Sequence, residues 1–193
     1  MTLTAATACI AFEGARQIAA GPLGYVAMMV KQAAERGGTE PVLVWEAETA
    51  RPVEIDLRGT VEQVVARIPA GEPAPDAAKR GPGRPKLGVV AREVTLLPRH
   101  WDWLNGQSGG ASVALRRLVD EARKASGGRD EKRARQEAAY RFMTAMAGNE
   151  AHYEEATRAL FAGDAGRFEA ATADWPQDVR VQAERFAAKA FAV

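Results

Sequence analysis

The chain has 193 residues, of which 47% are hydrophobic and 26% are charged, and its formal net charge is +1. This composition is that of a globular protein, which excludes a fibrous or a wholly disordered chain. The single cysteine, Cys9, excludes an intramolecular disulfide, and the longest apolar run, residues 26–30, is too short to cross a bilayer, so we expect a cytoplasmic protein with no membrane partner.

Residues 1–68 predict a small α+β module. The predicted elements, in chain order, are a strand at residues 8–12, a helix at 23–35, strands at 42–45 and 53–57, and a helix at 61–68. The first helix shows apolar side chains at helical spacing and is followed by two glycines. The last strand alternates apolar and polar residues, and Thr60 is a suitable N-cap for the last helix. The predicted order is therefore β-α-β-β-α.

Residues 69–88 predict a flexible basic linker, because recurrent proline and glycine cannot bury enough apolar surface to fold. Its second half, residues 79–86, reads Lys-Arg-Gly-Pro-Gly-Arg-Pro-Lys and resembles an AT-hook. An extended cationic ribbon of this kind fits the narrow, negative minor groove of A·T-rich DNA. Pro82 stands where such hooks carry their first core arginine, which predicts weaker binding than that of a full hook. The alternative is a solvated linker.

The hook resemblance implies DNA contacts along the arm. Arg84 would lie on the floor of the minor groove, and the flanking cations would meet phosphates. The arm residues that the resemblance selects are Lys79, Arg80, Gly83, Arg84, Pro85 and Lys86.

Residues 89–126 predict a strand, a helix that begins at Pro98, a glycine break and a second helix capped by Ser112. This order resembles the ribbon-helix-helix family of bacterial DNA-binding proteins. Pro98, Trp101 and Leu104 match its first helix; Ser112, Ala114, Leu115 and Arg116 match its second. The alternative is an ordinary hairpin strand with a helical hairpin inside one fold.

The ribbon-helix-helix resemblance implies an obligate homodimer. Two strands, one from each copy, pair into an antiparallel ribbon that enters the major groove. The start of the second helix would hold a phosphate on its free amides. The DNA-binding residues that this predicts are Arg92, Thr95, Arg99, Ser112 and Arg116.

Residues 131–193 predict a unit of amphipathic helices, with breaks at 147–149, 163–166 and 174–176. No motif within this unit indicates its function.

Positive charge is concentrated in the middle third of the chain. Residues 71–135 carry 14 cations and 8 anions. Residues 1–70 carry 6 cations and 8 anions, and residues 136–193 carry 6 cations and 9 anions. A central basic segment that holds both motifs is typical of a nucleic-acid contact.

The whole arrangement also resembles a bacterial family recorded as a domain of unknown function. The resemblance rests on Gly-Arg-Pro-Lys at residues 83–86, Val-Thr-Leu-Leu-Pro at 94–98 and Trp-Pro-x-Asp-Val-Arg at 175–180.

Residue types for catalysis are not grouped in this sequence. The two histidines, His100 and His152, are far apart with no cysteine or acidic cluster at ligand spacing, so we expect no metal and no other cofactor. No glycine-rich phosphate loop follows a strand, and Cys9 lies in an apolar strand typical of a buried structural thiol. We therefore expect a protein that is not an enzyme.

Together these patterns favour a homodimeric, nucleoid-associated DNA-binding protein, either a transcriptional regulator or a nucleoid factor, that binds A·T-rich duplexes. The alternative is a protein-interaction adaptor or antitoxin-like dimer whose basic linker binds RNA or an acidic protein partner.

Overall fold

The structure, a computed structural model, describes residues 3–70 and 90–192. This part of the chain is a mixed α+β fold with three strands and seven helices. The elements are β1 (Ala8–Glu13), β2 (Arg16–Pro22), α1 (Leu23–Glu35), β3 (Val42–Glu46), α2 (Val61–Arg67), α3 (Pro98–Asn105), α4 (Gly110–Ala147), α5 (Tyr153–Ala162), α6 (Ala165–Thr172) and α7 (Gln177–Phe191). Two compact units result, one of Met1–Glu72 with Arg129–Val193 and one of Pro73–Gly128.

The sheet is antiparallel, with strand order β2-β1-β3. Strand β2 was not predicted, because Ala19, Ala20 and Gly21 have little β propensity and Glu13-Gly14 resembled the end of a strand. In the structure Gly14, with φ of 55°, begins a two-residue turn into β2, since positive φ suits a hairpin turn.

The predicted strand at residues 53–57 is not formed. The Val53 amide donates a 2.8 Å hydrogen bond to the Val44 carbonyl, but no further ladder with β3 follows in the described chain. Instead the Arg67 side chain donates to the Asp56 carbonyl at 2.8 Å, and Arg58 donates to the Asp56 carboxylate at 2.7 Å. The Arg67 bond ties the segment to α2, and the Arg58 bond folds it locally, so the predicted order β-α-β-β-α was wrong. The observed order is β-β-α-β-α.

Strand β1 contributes side chains to two cores, because successive residues of a strand point to opposite faces. Cys9 and Ala11 belong to a cluster with the apolar residues of α1. Ile10 and Phe12 belong to a second cluster with α4, α5, α6 and α7. Residues 1–68 and 131–193, which the sequence presents as separate segments, share this second core.

The thiol of Cys9 is free and buried, as predicted. Burial raises its pKa to about 11, with a smaller contribution from the negative charge of Glu46, its partner across the β1–β3 pair. The thiol is therefore protonated near neutral pH, which suits a packing role.

The helices after residue 131 end where the sequence predicted. Helix α4 ends at Ala147, α5 ends before Gly163, and α6 and α7 are separated by residues 173–176. Helix α4 itself is continuous through Gly127 and Gly128, where the sequence indicated a boundary. In the described residues no helix is long and apolar enough to span a membrane.

Candidate nucleic-acid interface

Positive charge is unevenly divided between the two units. Residues 73–128 hold 10 lysines and arginines and 5 aspartates and glutamates. The other unit holds 16 lysines and arginines and 20 aspartates and glutamates. The six cations at residues 90–128 are all exposed. The four acids of residues 90–128 are exposed as well, so the described part of this unit presents a small net positive charge to solvent, the sign that a nucleic-acid contact requires.

The predicted arm lies outside the described residues. Its members are Lys79, Arg80, Gly83, Arg84, Pro85 and Lys86. The minor-groove contact stays a prediction from the sequence.

The strand predicted from residue 89 is not formed over residues 90–97, its described part, and these residues have no strand partner within the described chain. Arg92 and Thr95 are exposed, and so are the apolar side chains beside them: Val94 is 53% exposed and Leu97 47%. A strand of a two-chain ribbon obtains its hydrogen bonds from a second copy. Apart from the half-buried Leu96, the side chains of this segment are exposed in the described chain.

Helix α3 begins at Pro98, as predicted, because proline lacks the amide that the first helical turn leaves unused. Arg99 follows it in the first turn and is exposed. Leu104 is buried, whereas Trp103 is 50% exposed. The predicted helix is confirmed, and much of its aromatic surface lies open.

An apolar groove of about 450 Å³ lies between α3 and the first turns of α4. Its walls are formed by Leu96, Trp103, Leu104, Leu115 and Leu118, with Arg99 and His100 also lining it. Arg99 is the one predicted DNA-binding residue, among those that the structure describes, that lines this groove.

Helix α4 begins at Gly110, three residues before the start that an N-cap at Ser112 predicts, so the predicted N-cap role of Ser112 was wrong. Gly109 and Gly110 have φ of 83° and 74°, values that favour glycine. Residues 111–113 lie in the first turn of α4, where a helix leaves backbone amides without intrahelical acceptors. A helix N-terminus of this kind favours an anion.

Ser112 and Arg116 are four residues apart on α4 and both are exposed. Residues at this spacing lie on the same helix face. The structure thus places one predicted hydroxyl and one predicted guanidinium side by side, near the N-terminus of α4. The exposed Val119, Trp103 and Leu118 were not selected as site residues, because helical spacing does not reveal whether an apolar face is covered.

A family model described as "Uncharacterized protein conserved in bacteria (DUF2239)" matches residues 8–187. Since the match spans nearly the whole chain, the chain belongs to this family. No curated protein and no solved structure gives a match.

Proposed function

We propose that this member of the DUF2239 family binds double-stranded DNA as a homodimer, with a preference for A·T-rich sequence. One observation carries the proposal: the unit of residues 73–128 combines a surplus of positive charge with an apolar surface that the single chain leaves uncovered. The protein then acts as a transcriptional regulator or a nucleoid factor.

The uncovered apolar surface supports a dimer. In residues 90–128 only Leu104 and Ala114 are buried hydrophobic residues. The exposed large hydrophobics of this segment are Val90, Val94, Leu97, Trp101, Trp103, Val113, Leu118 and Val119. Complete burial of one such side chain is worth about 1.5–3 kcal/mol. Because these side chains are 36% to 73% exposed, the segment gains part of that energy from a partner. A second copy supplies the same surface and the missing strand.

The distribution of polar groups supports DNA as the ligand. In the proposed dimer Thr95 lies on the outer side of the ribbon, where it meets base edges, and Arg92, which strand alternation points to the opposite side with Val94, meets a phosphate at the ribbon's edge. Arg99 and Arg116 meet the flanking phosphates, and the N-terminus of α4 around Ser112 holds another. The Lys79–Lys86 arm enters the adjacent minor groove with Arg84 at its floor.

The test is fluorescence anisotropy of the full chain with A·T-rich and G·C-rich duplexes over a salt series. A double substitution, Arg84→Ala with Lys86→Ala, should weaken binding and reduce the slope of log K against log salt by roughly 0.9 for each phosphate that the variant no longer neutralises. The matched control is Arg36→Ala with Arg185→Ala, two exposed cations of the other unit. Unchanged affinity and slope in the arm variant would contradict the proposal.

The apolar groove supports a second candidate, a protein-interaction module that binds an acidic partner or RNA. Arg99 and His100 line this groove and no acidic residue of the described chain does. In that case the same titration gives no preference for A·T-rich over G·C-rich duplex, and the arm variant loses RNA or protein binding instead.

A further inference from the structure

The unit that contains the sheet has an apolar cleft of about 620 Å³. One wall is β3 with the following residues 52–57, and the other wall carries two residues of α4, Arg141 and Ala145. The apolar lining includes Val42, Leu43, Trp45, Val53, Ile55 and Leu57. Small-molecule sites are commonly apolar clefts of about 300–1,000 Å³ with a few polar groups, so this cleft has a suitable size.

The cleft exists because a hairpin opens. Pro52 forms a bridge with Trp45, and the Val53 amide bonds to Val44, but the next residues leave the edge of β3. Residues 53–57 alternate as a strand does, so their local preference favours continued pairing. The bonds from α2 and Arg58 to Asp56 hold them elsewhere. A conflict between local preference and observed structure is characteristic of functional sites.

Arg141 is the cation that borders the cleft. It is partly buried, and its Nη1 donates to the carbonyl of Thr49. Arg141 also borders a neighbouring pocket that Glu48, Glu131 and Glu137 line. These carboxylates pair with other cations, namely Arg135, Lys189 and Arg133, and among the described residues none forms an ion pair with Arg141. A partly desolvated guanidinium keeps donors for a carboxylate, and the attraction is stronger there than in bulk water.

Glu54 also lines the cleft, but its side chain is exposed. Its charge is screened by water and costs an anionic ligand little. Of the two charged residues that line the cleft, Arg141 is partly buried and Glu54 is exposed to water. The attraction of an anionic ligand to Arg141 is therefore stronger than its repulsion by Glu54.

We infer that this cleft binds a small apolar carboxylic acid. The carboxylate pairs with Arg141, and the apolar body packs against Leu43, Ile55 and Leu57. This site is separate from the DNA-binding proposal and stands if that proposal fails.

The test compares 2-naphthylacetate with 2-naphthylacetamide, its neutral analogue, by isothermal titration calorimetry on the full chain. The acid should bind at least about tenfold more tightly than the amide, which corresponds to one charge-assisted contact. Arg141→Met should remove that difference. Arg133→Met, an exposed arginine of the same helix, should preserve it.

Two more variants separate ligand binding from folding. Ala145→Trp fills the cleft from an exposed helix position and should abolish binding of both probes while circular dichroism stays unchanged. Glu54→Gln should leave or improve acid binding. Equal affinity for acid and amide, no binding of either probe, or retained acid binding in Ala145→Trp would overturn the inference.

Discussion

The backbone amide of Gln17 donates a 2.9 Å hydrogen bond to the carboxylate of Asp178. Gln17 lies in the edge strand β2, beside a bulge in its pairing with β1, and Asp178 lies in the first turn of α7. Three residues earlier the buried Trp175 donates its Nε1–H to the Ala151 carbonyl at 2.8 Å. The Trp-Pro-x-Asp-Val-Arg segment, residues 175–180, therefore connects the start of α7 to strand β2 and has a structural role.

We expect Asp178→Ala to lower the free energy of unfolding by about 1–2 kcal/mol, because it leaves an edge-strand amide without its acceptor and removes an anion from a helix N-terminus. Asp178→Asn keeps an acceptor oxygen and should cost less. Urea denaturation measures both. Asp174→Ala, at an exposed position nearby, is the control, and an equal loss in that variant would contradict the assigned role.

Two glycines of the second unit should respond in opposite directions to alanine. Gly109 has φ of 83°, and an added Cβ would lie 3.0 Å from Val113, so Gly109→Ala should destabilise the start of α4 by about 1–2 kcal/mol. Gly127 lies inside α4 with open space around it, so Gly127→Ala should stabilise the helix by about 0.5–1 kcal/mol. Hydrogen exchange of residues 110–128 measures both changes. Effects of the same sign would disagree with this geometry.

The carboxylate of Glu48 should give unfolding a weak dependence on acid pH. Hydrogen bonds from Lys189, at 2.9 Å, and Arg135, at 2.7 Å, hold its pKa below the ordinary value. A lowered pKa adds stability that is complete above the unfolded pKa, about 4.3, and is lost as pH falls through the folded pKa.

The measurement for Glu48 is the difference in unfolding free energy between wild type and Glu48→Gln. Because the side chain is exposed, the difference near neutral pH should be about 0.2–1 kcal/mol; it should shrink below about pH 4 and in high salt. Glu169→Gln, at an exposed position, is the control for the loss of one negative charge. A difference that grows on acidification would refute the assigned ion pairs.

The local sequence pattern was sufficient to predict an element whose bounds are set by its own residues. Helix α1 spans Leu23–Glu35, the predicted range, because its apolar spacing and following glycines agree. Pattern failed at residues 53–57, where a tie from Arg67 overrides the alternation. It also failed at Gly127 and Gly128, because two glycines weaken a helix without ending it.

The candidate interface was predictable in its charge but not in its apolar part. Counting cations identifies the basic segment directly from the sequence. Helical spacing assigns Leu115 and Leu118 to one face, yet only the structure shows that this face forms an open groove with α3. Whether a face is covered depends on contacts that sequence periodicity does not encode.

The proposed dimer makes a prediction from exposed residues. Val94 and Val119 are 53% and 54% exposed in the single chain, so glutamate at either position should cost a folded monomer little. In a dimer that buries this surface, the same glutamate places a charge against apolar side chains, which is strongly unfavourable. Val94→Glu and Val119→Glu should therefore dissociate the dimer and leave each chain folded.

Sedimentation velocity measures this outcome against the single-chain mass of 20.7 kDa. Wild type should sediment at twice that mass at micromolar concentration and both variants at the single-chain mass, with unchanged circular dichroism. Tyr25→Glu, which changes an exposed aromatic residue of the other unit, should remain dimeric, because the charge then lies away from the proposed surface. A monomeric wild type would remove the basis for a two-chain ribbon. If Val94→Glu and Val119→Glu proteins stay dimeric, the interface does not include these residues.

If the variants dissociate, the same samples should also lose affinity for A·T-rich duplex, because separation halves the number of arms on each DNA molecule.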